Sequence, residues 1–194
     1  MNKQPEITDA TRNNFIDAFF ELYRKRPVEQ ISVKELVRQA GYSRATFYNY
    51  FRDIYDLLDY VEDDFITSVM ESVAGNIRSG RELENFIPTF MELLQRKSIY
   101  IDVFTLSSNS PRFMDKIYAK ALPVLIDEFG VSKNDLQAVY ALRFYIAGLF
   151  PTIAEWLRNN RDLPMESLAA LIKGILLDGI FAQLQKRQYK REPL

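Results

Sequence analysis

The sequence predicts an all-α chain, on three observations. Apolar residues recur at spacings of three and four along nearly its whole length. Capping residues, among them Ser32, Ser43 and Asp53, stand where those periodic runs begin. Glycine occurs only seven times in 194 residues, and no strong hairpin signal is present. Together these place helices near residues 9–25, 33–39, 44–50, 54–78, 83–96, 99–107, 112–129, 133–159 and 165–188.

The first helix carries Phe15, Ala18, Phe19 and Leu22 at helical spacing. Ser32 followed by Glu35 is a capping-box pattern, so the second helix begins at Val33, with Val33, Leu36 and Val37 on one apolar face. Gly41 interrupts it, since glycine alone takes the left-handed conformation of a tight turn without steric cost. Ser43 caps a third helix whose Phe47 and Phe51 point inward. Its other face presents Arg44, Thr46, Tyr48, Asn49 and Tyr50, a set of cation, hydroxyls and amide suited to phosphates and base edges. This is the pattern of a helix-turn-helix, and its expected partner is double-stranded DNA. Arg44 (toward guanine), Asn49 (toward adenine) and Thr46 (toward a thymine methyl) are the candidates for base edges. Ser32, Lys34, Ser43, Tyr48 and Tyr50 suit phosphates.

Asp53 and Asp56 place negative charge at the start of the fourth helix, where the helix dipole favours it. On that helix Asp59, Glu62 and Asp63 share a face and Asp64 follows, a cluster that reads as a solvated acidic surface rather than a cation site. Ser79 and Gly80 end it, and Pro88 is expected to bend the next helix. No internal repeat or low-complexity linker separates the front from the rest. Near the end, Val139, Leu142, Ile146, Phe150, Ile153 and Leu157 form one apolar stripe. Leu168, Leu171, Ile172, Ile175, Leu176 and Gly179 form another, widened by Ile180 and Phe181. Such stripes suit either a four-helix interface between two copies or the chain's own core.

Taken as a unit, Ser32-Val33, Ala40-Gly41, Ser43, Thr46-Phe47-Tyr48, Phe51 and Leu57 resemble the TetR family of bacterial transcription regulators. Ser110-Pro111-Arg112-Phe113 and the run from Gly148 to Leu157 are similar, more weakly, to the ligand-binding and dimerisation region of many Gram-positive members. The resemblance implies a DNA-binding domain over residues 1–52, with three helices and the helix-turn-helix. It implies a larger helical ligand-binding and dimerisation domain over 53–194, with two copies joined through the last two long helices. It also implies an effector site in the body, and a small molecule there of unspecified identity. Two positions depart from the family. Ile54 stands where members usually carry a lysine that meets a DNA phosphate, and Pro27 where glycine is common. Arg52 and Lys34 are close enough in sequence to replace the lost cation.

Between residues 86 and 150 the chain is rich in aromatics, among them Phe86, Tyr118 and Tyr145. Phe90, Tyr100, Phe104, Phe113, Tyr140 and Phe144 are candidates to line a small-molecule cavity, although any one of them suits ordinary core equally well. Arg143 is placed either to meet an acidic ligand, to pair with Glu155 or Asp127, or to reach solvent.

Charge and composition agree with this division. Residues 1–52 hold nine Lys or Arg against six Asp or Glu, and residues 53–194 hold sixteen against twenty. A mildly basic front on an acidic remainder fits a DNA-binding element on a body that does not touch DNA. With no cysteine and no histidine, disulfides, thiolate or imidazole metal sites and the usual catalytic triads are excluded within the chain. No catalytic residue, metal ligand or cofactor is expected. The N-terminus is polar, and no apolar run approaches the roughly 20 residues needed to span a bilayer. The expected location is cytoplasmic, with no membrane partner. The expected function is sequence-specific transcriptional regulation, as a repressor released by a ligand. The alternatives are a body that binds a protein instead, or a helical interaction protein.

Overall fold

In a computed structural model, residues 5–78, 86–96, 98–107, 110–175 and 179 are described. Among them lie nine α-helices and no strand: α1 (Pro5–Tyr23), α2 (Val33–Ala40), α3 (Arg44–Tyr48), α4 (Ile54–Arg78), α5 (Phe86–Arg96), α6 (Ser98–Ser107), α7 (Pro111–Glu128), α8 (Leu136–Arg158) and α9 (Met165–Ile175). A single 3-10 turn at Val28–Gln30, not foreseen in the sequence, links α1 to α2. The proposed bend at Pro88 falls in the first turn of α5, where a missing N–H costs no helical hydrogen bond.

An N-terminal helix-turn-helix domain of α1–α3 is followed by a helical C-terminal region, and α4 runs from the first into the second. Phe15, Phe19, Leu36, Phe47 and Leu57 are all fully buried, and one apolar cluster extends from them through α4 to α8. In the C-terminal region Phe65 of α4 is ringed by Tyr100 at 5.3 Å, Phe104 at 5.8 Å, and Phe90 and Phe113 at 6.2 Å. Such ring pairs contribute about 0.5–1.5 kcal/mol each beyond their area burial. The Tyr100 hydroxyl donates to Asp64 at 2.9 Å and lies 2.9 Å from Ser68, so even its polar end is satisfied within the core.

The acidic face of α4 is only partly solvated, against the sequence expectation. It meets the basic face of α7 in a ladder. Arg112 pairs with Asp59, and Lys116 with Asp59 and Glu62. Lys120 lies 3.4 Å from Asp63 and 3.2 Å from Thr67. Glu62, only 2% exposed, lies 2.9 Å from the Lys116 ammonium. The reason is the matching four-residue step of cations on α7 and acids on α4, which brings opposite charges together once the helices pack. Arg112 also lies over the Tyr55 ring at 5.8 Å.

α8 departs from its expected role in two ways. Its stripe of Leu142, Ile146, Phe150 and Ile153 is buried in the chain's own core, whereas Leu136, Tyr140 and Phe144 on another face are 65%, 69% and 74% exposed. It is also long and apolar enough, by length and composition, to cross a membrane, contrary to the sequence expectation. Only 33% of its apolar window is buried within the chain, so packing against neighbouring helices accounts for the inner stripe and leaves an apolar outer face. On α9, Leu168 and Ile172 are buried, while Leu171 and Ile175 are 52% and 57% exposed. Leu176, Ile180 and Phe181 lie outside the described residues.

Candidate nucleic-acid interface

The turn between α2 and α3 is built by local hydrogen bonds. Ser32 Oγ accepts the Glu35 N–H at 3.3 Å and starts α2. The Glu35 carboxylate does not close a reciprocal box but pairs with Arg26. Gly41, at φ 75°, ends α2 in the left-handed conformation. Ser43 Oγ then accepts the Thr46 N–H at 3.0 Å and starts α3. Phe47 anchors α3 from inside, edge-on to Phe15 at 5.4 Å and tilted against Phe51 at 5.7 Å.

This packing turns Arg44, Ala45, Tyr48 and Asn49 outward. Tyr48 is 57% exposed although its ring touches Phe47 edge-on. Lys34 and Ser32 are exposed on α2, and Ser43 is exposed at the turn. The Ser32 cap uses an acceptor lone pair and leaves its O–H available to donate. Thr46 is half-buried, and its hydroxyl and that of Ser43 lie 2.8 Å apart, paired with each other.

Two candidates are placed differently from the reading of the sequence. α3 ends at Tyr48, and the bend after it turns Tyr50 toward α1, half-buried beside Phe15 at 6.0 Å and beneath the Arg12 guanidinium at 5.9 Å. Arg52 is not a free cation. Its Nε and Nη2 donate to Asp56 at 3.0 and 2.6 Å, and its backbone N–H donates to the same carboxylate at 2.9 Å. Asp56 in turn has its N–H capped by Asp53 at 2.8 Å. Ile54 is buried at 5% exposure, and Arg52 is engaged by Asp56 while its side chain stays 85% exposed, so Lys34 is the nearby cation without such a partner among the described residues of the interface. The Arg52 guanidinium holds the Asp56 carboxyl below its ordinary range.

Sequence reasoning missed the braces that orient this surface. The Asn14 amide donates to the Tyr42 hydroxyl at 2.9 Å, and Tyr42 packs on Phe15 at 5.0 Å, tying the turn to α1. Arg12 also lies 5.4 Å from the Tyr60 ring of α4. These partners are dozens of residues apart, and no local pattern announces them.

The aromatic candidates of the C-terminal region fall into two groups. Phe90, Tyr100, Phe104 and Phe113 pack together with Phe65 and Phe150, each no more than 2% exposed, apart from Phe150 at 4%. Tyr140 and Phe144 are on the surface instead, and Arg143 lies over Tyr118 at 5.3 Å while Glu155 pairs with Arg158. Burial pushes the Tyr145 hydroxyl well above its ordinary range. Two surface grooves, of about 690 Å³ beside Pro123 and Val131 and about 510 Å³ beside Trp156 and Leu163, are lined by none of the candidate ligand residues. Among the described residues no group of three acidic side chains is arranged to hold a metal ion.

Residues 15–61 match the family model described as bacterial regulatory proteins, tetR family. Among solved structures, the chain is similar to the dihydroxyacetone kinase operon activator DhaS, at 18% identity over 89% of this chain and 97% of that one, TM-score 0.59. It is similar to the fatty acid degradation regulator FadR from Bacillus halodurans, at 14% identity over 93% and 98%, TM-score 0.65. It is also similar to a tetR-family transcriptional regulator from Streptomyces coelicolor, at 18% identity over 95% and 90%, TM-score 0.58. At these identities the structural likeness concerns the fold.

Proposed function

We propose that the chain is a TetR-family DNA-binding transcriptional regulator, a reading supported by the family match over residues 15–61, and that it acts in the cytoplasm as a homodimeric repressor under effector control. The observation that carries the DNA-binding half is the outward set of Arg44, Tyr48 and Asn49 on a helix anchored by Phe47 and capped by Ser43. Residues 1–52 form the DNA-binding domain in this reading, and 53–194 the effector and dimerisation domain. Arg44, Asn49 and the Thr46 methyl read base edges, while Ser32, Lys34, Ser43 and Tyr48 hold phosphates. Tyr50 acts mainly by packing α3 on α1.

The partner copy is supported by the exposed apolar groups of α8 and α9. Tyr140, Phe144 and Gly148 recur every four residues on one face of α8, and Leu171 and Ile175 do so on α9. A Cβ added at Gly148 or Gly174 would meet nothing within 4 Å in the chain. A helix-interior glycine costs about 1 kcal/mol relative to alanine, and close approach of a second copy's helices offsets that cost. Two copies present two recognition helices to successive major-groove faces.

Effector control would act through the ring cluster around Phe65, because that ring lies on α4, the helix that directly follows α3. The effector shifts binding only by its different affinity for the two settings of α4. The close ring-on-ring packing favours a second reading, in which the C-terminal region answers to a protein partner.

Selection of bound sites from a random duplex library, repeated with Arg44→Ala, tests the DNA reading. An inverted-repeat site whose preference relaxes at one symmetric position in the variant is expected. No enriched motif in folded, dimeric protein would overturn it. A metabolite panel that leaves the operator shift unchanged would favour the protein-partner reading.

A further inference from the structure

We propose that the ion pair between Arg24 and Asp102 is a clamp that sets the angle of the DNA-binding domain on the rest of the chain, which makes both of them positioning residues for operator binding. Arg24 directly follows the last residue of α1, and its N–H still donates to the Phe20 carbonyl at 3.0 Å. It is therefore carried rigidly by the helix that holds α3 through Phe15 and Phe47. Its Nε donates to one Asp102 carboxylate oxygen at 2.8 Å, and its Nη2 donates to the other. A two-point contact between planar groups restrains rotation as well as distance, which a single ammonium contact does not. The Asp102 side chain is only 18% exposed, so solvent competes weakly at that end.

The place of Asp102 in the fold supports the assignment. Two residues before it on α6, Tyr100 is bonded to Asp64 and Ser68 of α4. Three residues after it, the Thr105 carbonyl accepts from Arg158 Nη1 of α8 at 2.9 Å. A six-residue stretch of α6 thus holds α1, α4 and α8 together. Tyr100 and Phe104 on the same stretch are part of the ring cluster around Phe65. Any rearrangement of that cluster displaces α6, and the clamp passes the displacement to α1 without first bending α4.

The chain has no cysteine, so labels attach only where cysteines are introduced. Ala45 on α3 and Ser132 between α7 and α8 are both exposed. Spin labels at Ala45→Cys and Ser132→Cys, in full-length protein diluted with unlabelled chain, report the distance between the domain and the body without DNA. Wild type is expected to give a narrow distribution. Arg24→Lys, Arg24→Gln and Asp102→Asn are each expected to broaden it, and the swap of Arg24→Asp with Asp102→Arg to narrow it again. Arg24→Lys keeps the charge and the fold but loses the fork, so it serves if the other variants fold poorly. Affinity for a selected operator duplex is expected to fall about fivefold or more in the single variants, a typical coupling between sites, and to recover in the swap. Unchanged distances in folded single variants would overturn the clamp. So would operator binding lost with distances unchanged, which would assign Arg24 to the DNA. The proposal rests on the operator-binding reading only for the affinity arm, and the distance arm stands or fails without it.

Discussion

Replacing Lys116 with methionine isolates the worth of the buried acid–base contact between α4 and α7. Methionine keeps much of the length and packing of the stem and removes the charge. The Glu62 side chain, 3% exposed and 2.9 Å from the lysine, is then left without its partner. Breaking a buried pair by removing one member costs about 3–5 kcal/mol. Lys116 itself is 19% exposed, so some water reaches the site and the lower end, about 3 kcal/mol, applies. For a chain of this size that lowers the melting temperature by about 6–12 °C. The double variant with Glu62→Met should regain most of the stability, because an apolar pair replaces a charged one. Urea denaturation of wild type, the single variant and the double variant at fixed protein concentration measures this directly. A single variant within about 1 kcal/mol of wild type, or a double variant no better than the single, would refute the reasoning.

Other perturbations probe the same structure. Arg44→Ala and Asn49→Ala should each weaken operator binding by about 1–3 kcal/mol in fluorescence anisotropy, with the preference lost at one position. Lys34→Ala should lower the salt slope by about one, and Arg52→Ala should lower it by less, because Asp56 pairs with that cation. Phe47→Ala removes a fully buried ring and should cost about 3–5 kcal/mol, seen as lost amide protection confined to α1–α3. Burial alone would raise the Asp59 carboxyl, but Lys116 and Arg112 together hold it below its ordinary range. Its contribution is then present above the unfolded value of about 3.9 and lost as pH falls through the depressed one. Asp59→Asn should therefore flatten the acid limb of a stability–pH curve. Tyr140→Glu with Phe144→Glu should convert the protein to monomers by light scattering, with α8 still folded.

The helix-turn-helix was legible because its determinants are local. The bond from Glu35 N–H to Ser32, the left-handed Gly41 and the bond from Thr46 N–H to Ser43 each join residues no more than three apart or depend on one residue alone. Phe47 and Phe51 were placed inside by periodicity, and both are buried. The inward turn at Tyr50 was not legible in the same way, since the end of α3 is a matter of one or two residues and the chain bends just beyond it.

Farther along the chain, periodicity showed that α4, α7 and α8 are helices but not which of their faces meet. Asp59, Glu62 and Asp63 looked like a solvated face because the cations that meet them lie more than fifty residues away, on α7. Two α8 faces carried large apolar groups, and only packing decided that Leu142, Ile146 and Phe150 go inward while Tyr140 and Phe144 remain outside. The sequence by itself therefore determined the helices, their caps and the helix-turn-helix, all set by short-range backbone and periodic signals. The tertiary structure alone decided the α4–α7 ladder, the Arg24–Asp102 ion pair and the face of α8 left open, because each depends on the partner that packing brings from a distant part of the chain.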